Sequence, residues 1–150
     1  FIESPGIKSR EPIGKYFINS AKLLKNREIL VQFISSMAVF IMLYGAFLLY
    51  FPLLLGRYDV DPIITGILLS SMNAFTAIFS SRLKFFVRKV GISRTIQLGF
   101  GCYSIGLLTI PVFPLELFII STLIFGIGHG IVIPSLQNLV VSTAPDEYRA

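Results

Sequence analysis

His129 is the single histidine of the 150-residue chain, and it stands inside the run 117–145, which carries no Lys, Arg, Asp or Glu. An ionisable side chain within an apolar segment is a candidate functional group, and an imidazole titrates near neutral pH. Two readings are open: a group that hydrogen-bonds substrate or carries a coupling proton, or a neutral histidine bonded between packed helices. Gln137 follows eight residues on, along the same expected face. A second charge-free run, 62–81, holds Gly66, Ser70, Asn73, Ala77 and Ser80, a spacing that forms one stripe on a helix. Small polar residues gain nothing from lipid, so this stripe faces either a close helix contact or an aqueous pathway. Tyr44 and Gln32 supply the polar groups of a third run, 29–56.

Enzyme chemistry has no foothold here. There is no His/Cys/carboxylate cluster with metal-ligand spacing, no nucleophile beside a base, and no glycine loop ahead of a Lys-Ser/Thr pair. One cysteine excludes a disulfide framework. No cofactor and no metal are expected.

The elements that must position these residues are long apolar segments. The charge-free runs are 29–56, 62–81, 95–115 and 117–145. A bilayer core of ~30 Å needs about 20 apolar residues in a helix. With 54% hydrophobic residues, 14% charged ones and a mean hydropathy of +0.78, the chain has too little charge to coat a soluble domain. The expected fold is an all-α membrane protein with transmembrane helices over 29–56, 62–81, 95–114 and 117–143. Tyr44, Asn73 and His129 then fall at similar depths near the midplane and are expected to converge on one cavity in the full-length protein. Gln32 and Gln137 lie about 10–15 Å nearer one end, at 1.5 Å per residue.

Basic residues set the orientation. Lys8, Arg10, Lys15, Lys22, Lys25 and Arg27 precede the first span; Arg82, Lys84, Arg88, Lys89 and Arg94 fill the loop 82–94; Arg149 lies in the tail. The opposite side has only Arg57, with Asp59, Asp61 and Glu116. Such an asymmetry places both ends in the cytoplasm. It also accounts for the net charge of +5 without nucleic acid. The expected partner of the basic segments is the anionic inner leaflet of a plasma (inner) membrane. Residues 1–28 read as a cytoplasmic linker. Within it Ile13, Phe17, Ser20 and Leu24 share a face away from Lys15, Lys22 and Lys25, which suits either an interfacial helix or a solvated segment.

The fourth span carries its own packing marks. Gly126 and Gly130 form a GxxxG pair, which permits close backbone approach, and Pro134 removes a helical hydrogen bond from the carbonyl of Gly130. The expectation is a hinge-prone helix. The third span, with Gly99, Gly101 and Gly106 among Leu, Ile and Phe, is expected to be the most lipid-exposed.

Several pieces together resemble the major facilitator superfamily of secondary transporters. The run 23–27 before the first span resembles the central cytoplasmic loop entering the seventh helix. Arg82, Arg88, Lys89, Gly91 and Arg94 resemble the basic loop between helices eight and nine, with Arg88 standing where the family signature has an acid. Gly126 to Gly130 with Pro134 and Gln137, followed by Glu147 and Arg149 in the loop 144–150, resembles helix ten and the run after it. The resemblance implies helices seven to ten of a twelve-helix bundle. It further implies that the first and fourth spans line a central cavity, the second flanks it and the third faces lipid. The implied activity is transport of a small solute by alternating access, with a lean to efflux. Partners would be the remaining helices of the transporter and an unidentified small-molecule substrate. The contrasting reading is a complete four-helix membrane scaffold or assembly protein without transport activity.

Overall fold

The computed structural model describes residues 26–143. Most of the leader and the loop 144–150, with Glu147 and Arg149, lie outside the described residues. The described chain is helical nearly throughout. Helix α1 spans Arg27–Arg57, α2 Pro62–Ser81, α3 Leu83–Val90, α4 Ile92–Thr109 and α5 Phe118–Thr143.

Helix starts follow local chemistry. Asn26 caps α1 by accepting the Glu28 N–H at 3.0 Å. Asp61 caps α2 by accepting the Ile63 N–H at 2.7 Å, with Pro62 at the first helical position, where a missing N–H costs nothing. Within α1 the segment Ile41–Tyr50 is a π-helix, wider than the α-helical turns on either side. Pro52 follows two residues beyond its end, and it has no N–H to offer the carbonyl of Leu48. Along this stretch the four-residue spacing stacks Phe40 on Tyr44 and Phe47 on Phe51.

Two boundaries differ from the sequence expectation. The basic segment 82–94 is not all loop: it contains α3, which ends at Gly91 with φ 85° and ψ 158°, a backbone state essentially reserved for glycine. The Thr95 hydroxyl donates back to the Gly91 carbonyl at 2.7 Å, so α4 begins at Ile92 and not at 95. It ends at Thr109 and not at 114, because Pro111 has no N–H with which to continue the helical ladder. At 18 residues α4 is about 27 Å long. Among the described residues, the helices long and apolar enough to cross a membrane are Arg27–Arg57, Pro62–Ser81 and Leu115–Ser142.

Helix α5 is the hub of the described bundle. Its packing divides into three strips. Thr122, Gly126 and Gly130 face α2: Thr122 Oγ1 and Ser71 Oγ share a hydrogen bond of 3.0 Å, and Thr76 donates to the Gly126 carbonyl at 3.2 Å. A methyl group on Gly126 would sit 2.5 Å from the Met72 carbonyl oxygen, and one on Gly130 would strike that of Thr76. Ser121, Phe125, Gly128 and Val132 face α4, where Thr109 and Ser121 share a bond of 2.8 Å and a methyl on Gly128 would sit 2.7 Å from the Gly99 carbonyl. The third strip meets α1, with Phe125 also stacked on Phe47 at 4.2 Å. In hydrocarbon, helix association relies on close packing and interhelical hydrogen bonds, since burial of apolar surface drives nothing there. Small residues and hydroxyls at these seams supply both.

The outer surfaces are apolar. Ile63 is 72% exposed, Leu108 68% and Ile41 67%, a cover that water does not tolerate and acyl chains do. The α4 helix departs from its expected role. It presents Gly101 outward, yet buries Thr95, Gly99, Tyr103 and Gly106 against α5, as one of the closest-packed neighbours in the bundle.

Candidate functional site

The three α5 strips decide where each polar residue points. Position 129 lies one turn beyond Phe125 and one turn before Val132, so His129 belongs to the strip that meets α4. Its Nδ1 shares a hydrogen bond of 2.5 Å with the hydroxyl of Tyr103, a fully buried residue of α4. The Tyr103 ring meets Phe125 edge-on at 4.6 Å and His129 at 6.1 Å. His129 is thus half-buried in a helix seam, away from the open stripe of α2.

That stripe is exposed. Gly66, Ser70, Asn73 and Ala77 lie on the open side of α2, while Leu68, Met72 and Thr76 hold the packed side. Close approach between α2 and α5 therefore comes from the α5 glycines and does not use Gly66 or Ser70. Ser80 sits at the border, its backbone N–H near Gly130.

Gln137 leaves the His129 face, because eight residues on a 3.6-residue helix advance by more than two turns. It is exposed and lines a cleft of about 390 Å³ between α1 and α5 with Ser36, Phe40, Leu136 and Val140. Phe40 of that cleft is stacked on Tyr44 at 5.5 Å, and Tyr44 is 55% exposed. Tyr44 and Gln137 therefore border one region through Phe40. Gln32 is buried and lines a separate concavity of about 430 Å³ with Arg27, Glu28 and Ser93.

Of the five cavity candidates, the described bundle brings Gln137 to the α1–α5 cleft, with Tyr44 reaching it only through Phe40, and leaves Asn73 on an open polar stripe. It sets Gln32 apart near the Arg27 end of α1 and commits His129 to Tyr103. The expected meeting of Tyr44, Asn73 and His129 does not form among the described residues. The reason is rotational: Gly126 and Gly130 bind the adjoining strip of α5 to α2, which turns position 129 toward α4. Sequence reasoning missed Tyr103. The available signal was a hydroxyl in the middle of an apolar helix, which must find a partner when buried.

Pro134 lies inside α5 without ending it, and Gly130, whose carbonyl it deprives, is held against Thr76 and Ser80. Arg82, Arg88, Lys89, Gly91 and Arg94 are all exposed around α3.

A family model described as Major Facilitator Superfamily matches residues 2–150. No curated protein and no solved structure gives a significant match to the chain.

Proposed function

Because the chain belongs to the major facilitator superfamily of membrane transporters, we propose that it supplies four helices of a twelve-helix secondary active transporter, moving a small solute by alternating access. The observation that carries this reading is the two-sided character of α2. Its Leu68–Met72–Thr76 side is packed on α5, and its Gly66–Ser70–Asn73 side is open. A polar stripe on a spanning helix is costly against lipid and stable against water or another polar helix. The stripe serves as a wall of the solute pathway, with Asn73 near mid-depth. Tyr44 and Gln137 form a second wall beside the α1–α5 cleft. The α5 glycine seams let α2, α4 and α5 move as one body, which rocking between two access states requires.

The orientation that goes with this reading places Arg82 to Arg94 and both ends in the cytoplasm of a plasma (inner) membrane, with net movement outward. The test is a single cysteine at Asn73 in a Cys102→Ala background of the full-length protein. Labelling by a membrane-impermeant maleimide should switch sides when the driving ion gradient is reversed. Labelling that is absent under every gradient, as expected for a face buried against lipid or protein, contradicts the pathway.

A further inference from the structure

Helix α3 is an eight-residue segment held between α2 and α4, leaving only Arg82 on one side and Gly91 on the other. Because α3 follows directly on the end of α2, a helix long and apolar enough to cross a membrane, α3 lies at the membrane–water boundary when α2 spans a bilayer. Its residues separate cleanly. Leu83, Phe86, Val87 and Val90 share one face: Leu83 is buried, and Phe86 stacks on Phe79 of α2 at 6.1 Å. Lys84, Arg88 and Lys89 lie on the other side, all exposed, around a shallow concavity of about 470 Å³ that also includes Phe85.

Phe85 is the residue that membrane insertion of α3's inner face leaves unexplained. It is 61% exposed on the cationic side, touched by the edge of Phe86 and by Lys89, whose Nζ lies 5.8 Å from the ring centre. In water, an exposed phenylalanine gains only the weak cation–π contact with Lys89 and leaves most of its ring against solvent. At the boundary it enters the acyl region while the cations stay at headgroup level. The segment 82–94 contains no acid, so no neighbour in the loop neutralises these cations.

We propose that α3 is an anionic-phospholipid site. Lys84, Arg88 and Lys89 bind the phosphates of acidic lipid headgroups, and Phe85 inserts beside the acyl chains to set the depth of the helix. Charge complementarity selects this occupant. A zwitterionic headgroup presents no net charge to three cations, and each cation near an anionic surface is worth about fivefold in local preference. Arg82 and Arg94 flank the site and extend the attraction. The site is independent of solute transport, so its success or failure is read without any substrate.

The chain has no tryptophan, so Phe85→Trp adds its own fluorescence over that of the parent protein. The full-length protein is reconstituted in vesicles of phosphatidylcholine with 30% phosphatidylglycerol, in which one or the other lipid carries brominated chains. The expected result is blue-shifted emission from the reporter, quenched at least fivefold more effectively per mole by brominated phosphatidylglycerol. High salt, and separately the Lys84→Gln, Arg88→Gln, Lys89→Gln combination, should bring that preference close to one. A Val112→Trp reporter on the opposite side should show no preference. Equal quenching of the Phe85→Trp reporter by the two lipids at low salt overturns the proposal. Emission characteristic of water overturns it as well. So does a blue-shifted reporter that neither lipid quenches, which would mean that protein covers the site. Should the triple variant be produced poorly, the salt titration on the unaltered cations gives the same decision.

Discussion

The hydroxyl of Tyr103 and Nδ1 of His129 share a hydrogen bond across the α4–α5 seam, and it joins the chain's only histidine to a fully buried tyrosine. The bond lies within a cluster that also holds Phe125 and Phe47. It turns the most chemically suggestive residue of the sequence into a joint between two helices.

That joint has a measurable energy. Tyr103→Phe and His129→Leu should each destabilise the protein in detergent, and the double variant should cost less than their sum. The expected coupling is about 1 kcal/mol, the scale of interhelical hydrogen bonds in membranes. Additive effects in thermal unfolding would show that the pair contributes no bond energy. Since the role is hydrogen bonding, His129→Gln should retain partial transport with little change in its pH dependence; loss of gradient-driven accumulation with intact downhill exchange would instead assign it the coupling proton.

The glycine seam predicts opposite responses at two glycines. Alanine at Gly130 would press a methyl against the Thr76 carbonyl, whereas alanine at Gly101 meets no atom within 4 Å. Gly130→Ala should cost about 1–3 kcal/mol through overpacking. Gly101→Ala should be neutral or stabilising by up to about 1 kcal/mol, as expected for glycine replaced within a helix. Equal melting temperatures for the two variants would remove Gly130 from the seam.

Gly91 tests the backbone alone. Its φ of 85° disfavours any side chain, while the space around it is open. Gly91→Ala should therefore cost about 1–3 kcal/mol without any steric contact. Gly56→Ala, equally open and without a positive φ, serves as the comparison. An unaffected Gly91→Ala protein would mean that the α3–α4 junction relaxes freely.

Topology is checked at the α1–α2 turn, where Asp59 is exposed. A cysteine at Asp59 in a Cys102→Ala background should react with impermeant maleimide from outside intact cells. Reaction only after the cytoplasmic face is opened would invert the assignment, and with it the side on which α3 meets lipid.

The sequence by itself determined the segments and their chemistry. Charge-free runs marked out the apolar helices, and the crowding of Lys and Arg into 82–94 marked the break between the second and third of them. GxxxG at Gly126 and Gly130 signalled a close contact, and that contact exists. What residue types do not encode is the rotation of a helix about its own axis. A polar or small residue announces that its face is special without naming the partner, because lipid-facing and helix-facing surfaces are equally apolar. Rotation is set by the other helices together. Tertiary packing alone decided that α5 gives Gly126 and Gly130 to α2 and His129 to Tyr103. It alone left Asn73 on an open face and turned α4, expected to face lipid, into a close partner of α5. Helix α3 was hidden for a related reason. An eight-residue helix is too short to hold its shape alone, and it exists because Leu83 is buried and Phe86 finds Phe79 of α2 to stack on.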